Sequence, residues 1–198
     1  NAKAASIAGD LAVQNARVRA IGEDAGGFRP ISEKDLFDCE YWSLEQAKLG
    51  KGAPPKFQGK IVMITGGSGT IGFAIAEAFS KLGAQTVLVD KDEITLKKAI
   101  TKLGHGHGYF PIDVTEADAA NQAMLAAIQN FGGLDILVSN AGAAHAGPML
   151  SISNDELRSA FELNFFSHYS FSTAAAKILK NQNRGGQILF NISKQAVN

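Results

Sequence analysis

From Lys60 onward, short apolar runs alternate with stretches in which apolar residues recur every three or four positions. Ile61 to Thr65, Thr86 to Val89, residues 108–112, Leu134 to Ser139 and Gln187 to Ile192 read as strands. Ile71 to Leu82 and residues 92–103, 116–131 and 154–180 have helical spacing. The strands are near-continuous apolar runs, which suits a parallel sheet covered on both faces. Right-handed crossovers then predict an α/β fold with a Rossmann-type doubly wound parallel sheet.

Residues 1–59 have a different character. Ile7, Leu11, Val18 and Ile21 make a helical stripe that Gly22 and Gly26-Gly27 should end. A second helix is expected over Leu36 to Leu49, stopped by Gly50, and "GKGAPPK" at 50–56 reads as a linker. The predicted organisation is a helical arm and linker over 1–59 and a Rossmann-type domain over 60–198.

Composition narrows the function. Lysine plus arginine equal aspartate plus glutamate at 19 each, so no basic surface points to nucleic acid. No apolar run approaches the roughly 18 residues of a membrane span. A single cysteine, Cys39, allows no internal disulfide and suits a cytoplasmic protein. The first residue is Asn1, which reads as a start inside a longer polypeptide. His105 and His107 in "HGHG" are too few for a metal site and read as a glycine-rich loop, so no metal is expected.

The candidate chemistry begins in "TGGSGTIG", positions 65–72, between the first strand and the first helix of the repeat. Glycines there permit a tight turn and close approach to a pyrophosphate, and the helix N-terminus supplies free N–H groups. Gly66, Ser68, Gly69, Thr70, Ile71 and Gly72 are therefore candidate cofactor-binding residues. Asp90 ends the second strand, where a carboxylate can accept both hydroxyls of an adenosine ribose and repel a 2′-phosphate. NAD is expected over NADP, although Lys91 could instead bind a 2′-phosphate.

Four further stretches complete a pattern: "IDVT" with Asp113 and Val114, "SNAG" with Asn140, Ala141 and Gly142, "ELNFFS" with Asn164, and "GGQILFNIS". Together with the glycine loop and Asp90 they resemble the short-chain dehydrogenase/reductase family over about residues 58–198. The resemblance implies that Asp113 and Val114 contact the adenine. It implies that Asn140, Ala141 and Gly142 pass beneath the cofactor and steady the sheet. Asn164 would help hold a water in a proton relay, or else brace neighbouring backbone. The resemblance also implies a homo-oligomer.

The chain departs from the family pattern in three places. Its glycines fall at 66, 69 and 72, with Thr70 where the classical form has glycine. Lys194 aligns with the catalytic serine, and Ser193 lies one residue earlier, so Lys194 and Ser193 are both candidates to act on substrate. The family's Tyr-x-x-x-Lys pair would fall beyond Asn198, so the Rossmann domain is read as C-terminally incomplete.

The arm's "DLFDCEYWSLEQAKL", 35–49, resembles the stretch joining the halves of bifunctional aldolase/short-chain dehydrogenase proteins. An aldolase domain would then lie upstream of Asn1. The expected function is NAD-dependent hydride transfer between nicotinamide and a secondary alcohol or carbonyl of a small, sugar-derived substrate. The alternative is a dinucleotide-binding module without catalysis.

Overall fold

The computed structural model describes residues 2–40, 55–144, 148, 150–192. The expected linker, the second half of the 36–49 helix, and both Ser193 and Lys194 lie outside the described residues. The chain divides into two compact units, Ala2–Pro55 and Lys56–Asn198.

In the first unit α1 spans Ala2–Asp24 and α2 spans Glu33–Glu40. Gly26 and Gly27 both take φ near +115°, which turns the chain out of α1. Ser32 opens α2 by accepting the Asp35 N–H at 3.1 Å. The stripe of Ile7, Leu11, Val18 and Ile21 is present, but all four side chains are exposed.

The second unit is a five-stranded parallel sheet: β1 Ile61–Thr65, β2 Gln85–Asp90, β3 Gly108–Pro111, β4 Ile136–Ser139 and β5 Gln187–Phe190. Its strand order is β3-β2-β1-β4-β5. The helices are α3 Thr70–Lys81, α4 Glu93–Leu103, α5 Ala119–Phe131, α6 Asn154–Phe161 and α7 Ser167–Gln182. Side chains alternate across the sheet into two cores. Met63, Val89 and Leu137 face α5 and α7, while Val62, Ile64, Leu88 and Val138 face α3 and α4. Burial on both faces accounts for the unbroken apolar runs.

The chain winds from β1 outward to β3, then returns to β4 on the other side of β1. This reversal opens a crevice at the carboxyl ends of β1 and β4, where open α/β sheets bind ligands.

Two elements differ from the pattern reading. The long helix of 154–180 is interrupted by a π-helical turn, Glu162–Phe166, in which the Ser167 N–H bonds the Glu162 carbonyl. Apolar periodicity does not resolve one inserted residue. The last strand was expected to be buried to Ile192, yet it ends at Phe190, and Leu189 and Phe190 are exposed. Among the described residues it is the outermost strand of the sheet, and β-branched and aromatic composition does not distinguish an outer strand from a central one.

Candidate functional site

Thr65 ends β1 fully buried, and its hydroxyl accepts the N–H groups of both Asn140 (2.9 Å) and Ala141 (3.0 Å). The backbone then turns through Gly66 at φ +63°, a conformation that favours glycine. A Cβ on Gly66 would stand 3.0 Å from the Ala141 Cα. The loop is fastened to β2 by the Gly67 N–H on the Val89 carbonyl at 3.1 Å.

Gly69 caps α3 in extended conformation, with no side chain satisfying the first turn. The N-terminal N–H groups of α3 are thus left for an anion, and the positive end of the helix dipole lies with them. Gly66, Gly69, Thr70, Ile71 and Gly72 line a cleft of about 870 Å³.

Ser68 takes a different place from its loop neighbours. It is not on the cleft lining. Its hydroxyl donates to Asp90 Oδ2 at 2.6 Å, and its N–H reaches the same oxygen at 3.2 Å. The Lys91 N–H holds the other carboxylate oxygen at 2.8 Å. Asp90 therefore enters the cleft wall oriented at both oxygens.

Asp113 lines the wall beyond it. Its carboxylate accepts the Thr115 N–H (3.0 Å) and hydroxyl (2.8 Å) and lies 3.7 Å from the Lys91 ammonium. The Thr115 N–H bond leads in lowering the Asp113 pKa below its ordinary value, with burial opposing it and Lys91 adding a smaller pull. Ile112 and Val114 flank it as nearly buried apolar surface.

Asn140, Ala141 and Gly142 run along the cleft after β4. The Asn140 amide donates to the carbonyls of Thr65 (2.9 Å) and Gly66 (3.3 Å), and its oxygen accepts from Asn191 Nδ2 at 2.7 Å. The ends of β1, β4 and β5 are thereby tied together. Asn164, in the π-turn, accepts the Ala143 N–H at 3.1 Å and donates to the Ala143 carbonyl at 3.0 Å. It lines the cleft while bracing this backbone.

Eight lining residues were not singled out for binding from the sequence: Lys91, Ile112, Ala143, Ala144, Leu163, His168, Asn191 and Ile192. Lys91 had been weighed against NAD use. His168 lies four residues after Asn164, a spacing that puts both on one helical face and could have found it. Its Nδ1 is 2.6 Å from the Ser139 hydroxyl. Burial lowers the His168 pKa, with the Ala141 backbone working the other way. His107 lies elsewhere. It accepts the Thr86 N–H at Nδ1 (3.1 Å) and meets Ser80 Oγ through Nε2 (3.0 Å), so both ring nitrogens have protein partners.

The uncapped helix start, the glycine turn and a carboxylate at the end of β2 form a cleft suited to a dinucleotide. Residues 60–198 match the short chain dehydrogenase family, and residues 1–49 match the aldolase class II second domain. The chain belongs to the short-chain dehydrogenase family.

Among its relatives is the uncharacterized oxidoreductase YuxG of Bacillus subtilis, 32% identical over 87% of this chain and 26% of that protein. L-fucose dehydrogenase of Bos taurus is 35% identical over 70% of this chain and 50% of its own length. The chain thus spans a quarter to a half of these relatives. A solved short-chain dehydrogenase/reductase from Mycobacterium marinum superposes with a TM-score of 0.69 at 27% identity, over 73% of this chain and 60% of that one.

Proposed function

We propose that the protein is an NAD-dependent oxidoreductase acting on a secondary alcohol or carbonyl of a small, sugar-derived substrate. The observation that carries this reading is the cleft itself, with free helix N–H groups at one wall and an oriented carboxylate at the other. When bound, the nicotinamide cofactor supplies the hydride chemistry.

The chain's own residues bind and orient. The start of α3 and the Gly66–Gly72 turn would take the pyrophosphate. Asp90 would accept the ribose hydroxyls and disfavour a 2′-phosphate. Lys91 is drawn toward Asp113, which lessens its availability to a 2′-phosphate and supports NAD over NADP. Asp113 and Val114 would border the adenine. Asn164 would hold the Ala143 backbone and offer its remaining capacity to a water. Ser193 or Lys194 would meet the substrate oxygen. The sugar-like substrate is supported by the relative named for L-fucose. An aldolase portion preceding this domain in a longer chain is supported by the match of residues 1–49.

One feature favours a second reading, a dinucleotide-binding module without turnover. Lys194 stands at the position where the family pattern has its catalytic serine. Fluorescence titration with NADH, followed by turnover against a panel of small sugars and alcohols, tests both. Binding with turnover supports the enzyme, and binding alone supports the module. No binding at millimolar NADH overturns both.

A further inference from the structure

We infer that His168 is a positioning residue of the cleft, holding the segment Ser139–Ala143 from the helix side so that it presents a fixed floor to the bound dinucleotide. The inference rests on the dinucleotide reading above.

The segment leaves β4 and must cross beneath the cleft as irregular backbone. Such backbone keeps one geometry only if its polar groups are held from both sides. From the sheet side, the Thr65 hydroxyl holds the N–H groups of Asn140 and Ala141, and Asn191 holds the Asn140 side chain. From the helix side, Asn164 holds both backbone groups of Ala143.

His168 fills the remaining gap. It stands one turn beyond Asn164 on the same face, with Nδ1 2.6 Å from Ser139 Oγ. Ser139 is 1% exposed, so its hydroxyl has little access to water. Its bond to the ring therefore matters more than a surface bond would. Without the imidazole, the Ser139 hydroxyl loses its helix-side partner. Gly142 lies between the two anchors, and a Cβ there would stand 3.0 Å from Asn164 Oδ1. A small tilt of the segment would therefore change the floor directly.

Two measurements test this: amide ¹H–¹⁵N spectra of the apo chain and titration with NADH. His168→Phe keeps a ring of similar volume without its hydrogen bonds. The expected result is displaced amide signals for Ala141–Ala143 and about tenfold weaker NADH binding. His168→Gln retains a donor and an acceptor and should recover wild-type binding to within about threefold. A role in packing alone predicts the opposite order, with the Phe variant like wild type and the Gln variant worse. That order, or unmoved amide signals, overturns the inference.

Should His168→Phe fail to fold, Ser139→Ala removes the ring's hydroxyl partner instead. It must then shift the same amides in the same sense, and unshifted signals overturn the inference. If the wild-type chain does not take NADH, the dinucleotide reading fails by itself, and the apo spectra still decide whether His168 positions the segment.

Discussion

Ser68 donates both its hydroxyl and its backbone N–H to one carboxylate oxygen of Asp90, at 2.6 and 3.2 Å. A residue of the glycine loop thus orients the acid at the end of the neighbouring strand. Ser68→Ala should weaken NADH binding about threefold, the loss of one hydrogen bond to a charged group that retains its other donors. Asp90→Ala removes the charge as well, and should narrow the preference for NADH over NADPH by about tenfold or more. Parallel fluorescence titrations with the two dinucleotides check both. An unchanged ratio in Asp90→Ala would mean the carboxylate does not face the ribose.

Gly72 and Gly69 separate folding from binding. A Cβ on Gly72 would collide with the Gly66 carbonyl, and both partners are backbone. Gly72→Ala should cost about 3 kcal/mol or more of stability. A Cβ on Gly69 meets only the Gly66 carbonyl at 3.4 Å, and the backbone there is extended. Gly69→Ala should leave stability within about 1 kcal/mol of wild type. Its methyl would nevertheless stand in the anion cradle, weakening NADH binding about tenfold. Chemical denaturation and titration on the same samples distinguish the two.

Thr65 tests how the strand ends are joined. Its buried hydroxyl accepts two backbone N–H groups, those of Asn140 and Ala141. Thr65→Val keeps the shape and leaves both donors without a partner, which should destabilise the domain by about 2–4 kcal/mol. Thr65→Ser keeps the hydroxyl and should recover most of that loss. Denaturant midpoints for the pair decide it.

The ring of His107 links Ser80 of α3 to Thr86 of β2 and is held neutral by burial, with its pKa below the ordinary 6.5. The unfolded chain therefore takes up the proton first as pH falls. Stability from this group is complete above about pH 6.5 and is lost as pH falls through the folded value. His168, also lowered by burial, adds in the same sense. Melting temperature should drop on acidification from about pH 7.5 to 5.5, and less steeply in His107→Gln. Equal slopes would remove His107 from the account.

Much of this architecture was legible beforehand because it follows from local rules. Strands buried on both faces must be apolar throughout, so Ile61–Thr65 and Gln85–Asp90 announced themselves. A glycine turn between strand and helix has few uses, so Gly66, Gly69 and Gly72 could be assigned to the cleft before any coordinates. The exact partners were less accessible. Ser68 reads as one more loop residue, and its attachment to Asp90 depends on a contact across 22 positions. Asn164 carried two readings, water-holding or bracing, and its bonds to Ala143 lie 21 residues away.

Periodicity, glycine placement and the acid after β2 were enough to specify a doubly wound sheet and the end of it at which the cleft opens, because each depends on residues close in the chain. The π-turn and the grip of Thr65, Asn164, His168 and Asn191 on the Ser139–Ala143 segment required the folded molecule. Hydrogen bonds between groups dozens of residues apart leave no periodic trace. They exist only where packing removes water and makes each buried donor and acceptor find a partner.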